Sequence, residues 1–356
     1  MSTRILTKAD LAGLVADLLS AGTRVVAPAR VDNPQVAAYR PIASFDEARL
    51  DGPLPPRSPK EFFLPPTEVL LRWQKKKDGI ELQEVATEHP KQVILGARPC
   101  DVAAVEILDK VMGWDYRDEL WFGRREATTI VSLACRGVDK SCFCTAVGSG
   151  PDAQKGADIL LVPSDGDAYL AQILTPKGQA LVEAHAQRFG EASGAEAAKS
   201  FREAATRKVA SNLPIEATKL SGWLADNYEH ELWKRLAMRC HGCGACAAVC
   251  PTCHCFDIVD EPEGIDRGVR RRNWDTCQAG KFTVHASGHN PRGTQNERFR
   301  QRVLHKFSIY PKRFGELLCT GCGRCARACP AGMDLPEILG QIAKLAGAGV
   351  PTGGTK

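Results

Sequence analysis

Six cysteines fall within sixteen residues of the stretch CHGCGACAAVCPTCHCFD, residues 240–257. Cys240, Cys243, Cys246 and Cys250 followed by Pro251 spell C-x2-C-x2-C-x3-C-P, the bacterial ferredoxin run. The same residues also contain C-x-x-C-H, at Cys250, Cys253 and His254, the short signal for covalent haem attachment. Cys250 cannot serve both. A second copy of the longer run decides the matter: CTGCGRCARACP places Cys319, Cys322, Cys325 and Cys329 before Pro330 at the same spacing. Three thiolates on a glycine-containing loop can wrap three irons of a 4Fe–4S cube, and the proline then turns the chain away. In two-cluster ferredoxins the fourth cysteine ligates the other cluster. The expected sets are therefore Cys240, Cys243, Cys246 and Cys329 for one 4Fe–4S cluster, and Cys319, Cys322, Cys325 and Cys250 for a second. Zinc is the competing cofactor, but it prefers two short pairs of ligands separated by a longer stretch. Arg239, Arg324 and Arg327 stand beside the ligands and supply positive charge for anionic clusters.

Seven cysteines remain. Cys100, Cys135, Cys142 and Cys144 form a quartet in an otherwise cysteine-free half. Their spacing is not a standard run. It leaves a third iron–sulfur cluster, a zinc site and plain buried thiols all open. Cys253, Cys255 and Cys277 are one short of a further all-cysteine set. His254, His285 or His289 would be needed to complete it; the reading adopted for them is buried thiols and a histidine-rich loop shaping a cluster pocket.

The elements that must position these residues divide the chain. RVVAPA, QVILGA, ATTIVSLAC and DILLV read as strands, and DVAAVEILDKVM as a helix with Val102, Val105, Leu108 and Met112 on one face. Cys100 and Cys135 then follow two strand ends, where ligands collect in open α/β sheets. The expected architecture is an α/β N-terminal domain (1–178) followed by a helical connector (179–230). A mainly α-helical, ferredoxin-like two-cluster domain (231–346) comes next. It carries a long insert (251–318), in which EPEGIDRGVRRRNWDTC reads as a turn and a basic strand or loop. Helices are expected over 299–307 and 335–345, and the last ten residues (347–356) read as a disordered tail.

Composition limits the function. With 44% hydrophobic and 25% charged residues the chain has the balance of a soluble globular protein. The net charge is +5, and from Glu231 onward 19 Lys and Arg stand against 11 Asp and Glu. That basic third balances anionic cofactors, and no zinc-finger or RNA-binding pattern points to nucleic acid. No run is apolar enough to span a membrane. Leu11, Leu14, Val15 and Leu18 repeat at helical spacing behind Thr7 and Asp10, so the N-terminus reads as a capped helix and not an export signal. A cytoplasmic location follows, where fifteen cysteines argue for metal over disulfides. There is no G-x-G-x-x-G, no P-loop and no nucleophile paired with a base, so no catalytic residue is expected.

With these residues in view, GARPCDVAAVEILDKV, CFCTAVGSGPD, CPTCHCFDIVDE, RNWDTCQAGKFTVHASGHNPR and RQRVLHKFSIYPKRFGELLCTGCGRCARACP resemble the iron–sulfur beta subunits of soluble, sulfhydrogenase-type nickel–iron hydrogenases. They are equally similar to the A subunits of anaerobic sulfite reductases. The resemblance runs from about Phe62 to Ile338. It implies that the ferredoxin-type cysteines are cluster ligands, and it favours a third 4Fe–4S cluster at Cys100, Cys135, Cys142 and Cys144. It further implies an electron-transfer subunit that relays electrons between a flavin/NAD(P)H subunit and a catalytic hydrogenase or reductase subunit.

Overall fold

The computed structural model describes residues 2–31, 36–86, 89–136 and 139–347. Most of the expected tail, residues 348–356, lies outside them. Eleven strands form among the described residues: β1 Ser2–Thr7, β2 Arg24–Arg30, β3 Ala37–Pro41, β4 Thr67–Lys76, β5 Gly79–Glu84, β6 Gln92–Ala97, β7 Thr128–Leu133, β8 Ile159–Pro163, β9 Ala168–Ile173, β10 Phe256–Pro262 and β11 Arg267–Trp274.

Seven of them make one sheet in the order β1-β9-β8-β7-β6-β2-β3. Its centre, β2-β6-β7-β8, is parallel, and both edges are antiparallel. A parallel centre must be covered on both faces, and successive side chains alternate accordingly. Val25, Val93 and Val131 pack against Leu11, Leu14 and Val15 of the Lys8–Ser20 helix. Val26, Ile94 and Ile130 pack against Val102, Val105 and Leu108 of the Pro99–Met112 helix. The N-terminal helix is capped as expected, with the Thr7 hydroxyl accepting from Asp10 N. Cys100 lies in the first turn after β6, and Cys135 lies two residues past β7. These strands are neighbours, so both cysteines reach the same carboxyl edge of the sheet.

The C-terminal region is not mainly helical. Its insert contributes β10 and β11, which join β4 and β5 of the N-terminal half in a four-stranded sheet of order β10-β11-β4-β5. The charges in this insert alternate with strand register. Arg270 sits directly opposite Asp260 and donates to both carboxylate oxygens at 2.8 Å. Such cross-strand ion pairs favour the extended form. Arg272, the last of three consecutive arginines, is buried between Glu68 and Asp118.

The helical remainder encloses a core of Phe299, Val303, Phe307, Leu335, Ile338 and Ile342 with Trp233. Phe143, between Cys142 and Cys144, also enters it. The helix expected at 299–307 starts earlier, at Gln295, because Thr294 and Glu297 form a capping box. It ends at Leu304 and widens into a π-helical turn over His305–Ile309. The Leu335–Leu345 helix lies where periodicity places it.

One ion pair ties the cluster-motif region to the sheet. Arg324 is fully buried and donates to Asp101 at 2.5 and 3.1 Å, while Asp101 also accepts from the Tyr39 hydroxyl at 2.9 Å. Arg324 is thus neutralised by a carboxylate of the N-terminal half, not reserved for an anionic cofactor. Breaking a buried pair on one side strands the other charge, at a cost of about 3–5 kcal/mol. Asp101→Asn should therefore lower stability by at least about 3 kcal/mol in anaerobic urea unfolding. The double variant Asp101→Asn/Arg324→Met should recover much of the loss. A single-variant change under about 1 kcal/mol would contradict this role.

Candidate metal centres

The two C-x2-C-x2-C runs fold into the same local shape. Each loop carries two left-handed glycines, Gly242 and Gly244 in the first, Gly321 and Gly323 in the second. Each then makes one helical turn, Ala245–Ala248 or Arg324–Arg327. Only glycine adopts these dihedrals without strain, which is why the loops wind tightly enough to turn three thiols inward.

Three cavities result, and each is lined by one of the cysteine groups expected from the sequence. Cys240, Cys243, Cys246 and Cys329 line the first, together with Cys325, Phe299 and Arg302. Cys250, Cys319, Cys322 and Cys325 line the second, with Arg302, Lys306 and Thr252. Cys100, Cys135, Cys142 and Cys144 line the third, with Cys322, Pro151 and Val209. The cysteines surround space instead of meeting at a point. Among the described residues no three His, Cys, Asp or Glu side chains converge as a single ion would require.

The cavities are in series. Cys322 lies in the wall of the second and third, and Cys325 in the wall of the first and second. The contact between the second and third is backbone on backbone. Phe143 N donates to Gly321 O at 2.8 Å, and a Cβ on Gly321 would lie 2.5 Å from the Cys144 backbone. A Cβ on Gly323 would strike the Ser141 carbonyl. Asn212 holds the other side of the same loop, donating to Asp139 O and Cys142 O at 2.8 Å.

Burial sets the electrostatics. It pushes the Cys144, Cys319 and Cys325 thiols up to about 12, and raises Cys100 and Cys246. Buried thiols of this kind become thiolates when a metal supplies the positive charge. Cys250 is the exception. A hydrogen bond from the Cys253 thiol, aided by the Lys306 and Arg302 cations, holds it well below the usual thiol range despite its burial. Lys306 Nζ lies 3.4 Å from Cys250 Sγ and also donates to Thr252 Oγ1 and Leu318 O at 3.0 Å. Arg302 reaches Cys253 Sγ at 3.3 Å and Cys246 O at 3.0 Å. Lys60 donates to Cys253 O at 2.6 Å and Cys250 O at 3.1 Å, and sits over the Trp274 ring.

These three cations escaped the sequence reading, which assigned the positive charge to Arg239, Arg324 and Arg327. Arg324 belongs to Asp101. Arg327 pairs with Asp139 at 2.6 Å, and Arg239 bonds Gly332 O near the surface. A signal for two of the missed residues exists in RQRVLHKF. Residues 302 and 306 flank the apolar stripe of Phe299, Val303 and Phe307, so they face inward with it.

The leftover cysteines line none of the three cavities. Cys253 is nonetheless hydrogen-bonded to Cys250 of the middle quartet, and Cys255 to Cys277. His254 packs edge-on against His305 at 5.6 Å, and burial pushes it down to about 4. His285 and His289 meet edge-to-face in an exposed loop.

Residues 239–333 match the family described as a 4Fe-4S dicluster domain. The chain is also similar to sulfhydrogenase 2 subunit beta of Pyrococcus furiosus, at 31% identity over 320 residues, covering 90% of this chain and 92% of that protein. A span of that length extends well beyond the residues matched by the dicluster domain.

The glycine contacts make a testable claim about assembly. Gly321→Ala should force apart the loops that line the second and third cavities. Bound iron in anaerobically purified protein should fall by more than half, whereas Gly222→Ala, in the Ser221–Asp226 helix where a Cβ would meet nothing within 4 Å, should leave iron content near wild type. Equal iron in both variants would refute the contact's importance.

Proposed function

Because the chain belongs to the family of sulfhydrogenase beta subunits, we propose that it is the iron–sulfur electron-transfer subunit of a multi-subunit oxidoreductase, with three 4Fe–4S clusters in series. The observation that carries this reading is the run of three cavities, each walled by its own cysteine quartet, with Cys325 and Cys322 of the middle quartet also lining the first and the third. Cys240, Cys243, Cys246 and Cys329 would hold one cluster, and Cys250, Cys319, Cys322 and Cys325 the middle one. Cys100, Cys135, Cys142 and Cys144 would hold the third.

Bound clusters would supply one-electron chemistry, with potentials set by charge, hydrogen bonds and exposure. The protein's own part is positional. The left-handed glycines wind the loops, Phe143 and Gly321 press two sites together, and buried apolar side chains keep water from the middle one. Cys243 is the exposed cysteine of the fifteen, which makes the first site one end of the relay. The third site, at the carboxyl edge of the sheet, is the other.

The partners proposed are a flavin subunit that meets NAD(P)H and a catalytic subunit, a hydrogenase in the preferred form. An anaerobic sulfite reductase is the alternative, since the cysteine motifs serve both. A reducing, cytoplasmic setting is part of the proposal, supported by fifteen cysteines without a disulfide. No described helix is long and apolar enough to cross a membrane.

Anaerobically prepared protein should contain about twelve irons and twelve acid-labile sulfides per chain. Cys100→Ser should remove about four of each and leave the other two clusters' signals in place. Unchanged iron in Cys100→Ser would reject the third site, and zinc in place of iron would reject the whole reading. Nickel in a co-purifying large subunit marks the hydrogenase branch; sirohaem marks the sulfite reductase branch.

A further inference from the structure

The three cavities differ in the charge around them. At the third, Arg324 is matched with Asp101 and Arg327 with Asp139, while buried Arg98, at the head of the Cys100 helix, is held by the carbonyls of Leu50 and Gly52 and not by a ligand sulfur. Arg327 stands 4.0 Å from Cys142 Sγ, while the Asp139 carboxylate stands 3.7 Å from the same sulfur. The cation beside that sulfur is thus offset by a carboxylate. At the first, the sulfur contacts are neutral donors: Gln295 Nε2 on Cys240 Sγ at 3.2 Å and Met333 N on Cys329 Sγ at 3.3 Å. Arg302 adds one cation in the wall it shares with the middle site.

The middle site is different. Lys306, Arg302 and Lys60 are 3%, 6% and 5% exposed, and among the described residues none of them has a carboxylate partner. All three converge on the Cys250–Cys253 segment. A buried charge without a counter-ion is costly, so these cations need an anion, and the anion within reach is sulfur. Positive charge and hydrogen bonds at a ligand sulfur favour the reduced, more negative state of a cluster.

We infer that Lys306 and Arg302, with Lys60 behind them, make the middle of the three sites the most readily reduced, so that an electron entering from either end comes to rest there. The relay is then a well flanked by two higher steps, and not a single slope. One electron leaves an end site, which is oxidised, and the middle site is reduced by the same electron. Lys306 and Arg302 are positioning residues: Lys306 acts on the ligand sulfur of Cys250 directly, and Arg302 acts through the Cys253 thiol that is hydrogen-bonded to it. The inference rests on the three-cluster reading above.

The test is a redox titration of the full-length protein followed by electron paramagnetic resonance. Cys250→Ser, which replaces a sulfur of the middle site by oxygen, identifies the middle signal. In wild type that signal should be reduced at the highest potential of the three. Lys306→Met should keep the iron content and lower the reduced-to-oxidised ratio of that signal about tenfold at fixed ambient potential, a shift of 59 mV for a one-electron couple. Lys306→Arg should restore most of it. Arg302→Gln should lower the middle and first signals together and spare the third, a second route should the Lys306→Met protein fail to fold. A middle signal that titrates lowest, or a Lys306→Met protein with full iron and an unmoved titration, overturns the inference. Wild-type protein lacking three clusters' worth of iron would instead overturn the reading beneath it.

Discussion

A sulfur anion removed from water must find positive charge close by, or it holds its proton. That constraint runs through the whole chain. Twelve cysteines wall three cavities, and burial raises the thiols of Cys100, Cys142, Cys144, Cys246, Cys319 and Cys325. Cys250 is the one placed among Lys306, Arg302 and Lys60, and it is the cavity cysteine pulled strongly toward the thiolate. Of the other buried arginines, Arg324 is spent on Asp101, Arg272 on Glu68 and Asp118, and Arg300 on Glu229, while Arg98 is held by the carbonyls of Leu50 and Gly52. Those cations tie the scaffold together; Lys306, Arg302 and Lys60 gather instead around the Cys250–Cys253 segment.

The scaffold and the cavities are inseparable in this architecture. The parallel sheet delivers Cys100 and Cys135 to one edge. The second glycine loop presses on the backbone of Ser141 and Cys144 with no room for a side chain between them. Phe143 leaves that loop to enter the C-terminal core, and Tyr310 returns the contact by donating to Ile107 O at 2.7 Å. Strands from both halves also share the four-stranded sheet. The third cavity is therefore an interface feature. Neither half of the chain could form it alone.

Legibility in the sequence followed locality. The spacing of each cysteine run, the two strands before Cys100 and Cys135, and the Leu335–Leu345 helix are written in neighbouring residues, and each was readable. The capping box at Thr294 and Glu297 lay in plain view but was not used, and the helix start was placed late. The insert was harder. EPEGIDRGVRRRNWDTC left strand and loop both open; β10 and β11 pair locally as a hairpin, but the sheet they belong to is completed by β4, about two hundred residues away in sequence. Arg302 and Lys306 were missed because a charged residue is expected on the solvent face, and only the packing of Phe299, Val303 and Phe307 turns theirs inward.

By itself the sequence determined the kind of chemistry. Two glycine-containing cysteine runs ended by proline specify loops that can hold iron cubes, because ligand spacing along a short loop is a local property. Only the tertiary structure decided the order of the three cavities, the union of four scattered cysteines at the sheet edge, and the choice of which cations stay unpaired. Those depend on which distant surfaces meet, and on the balance between burying a charge and finding its counter-charge. Neither can be read from residues taken in order.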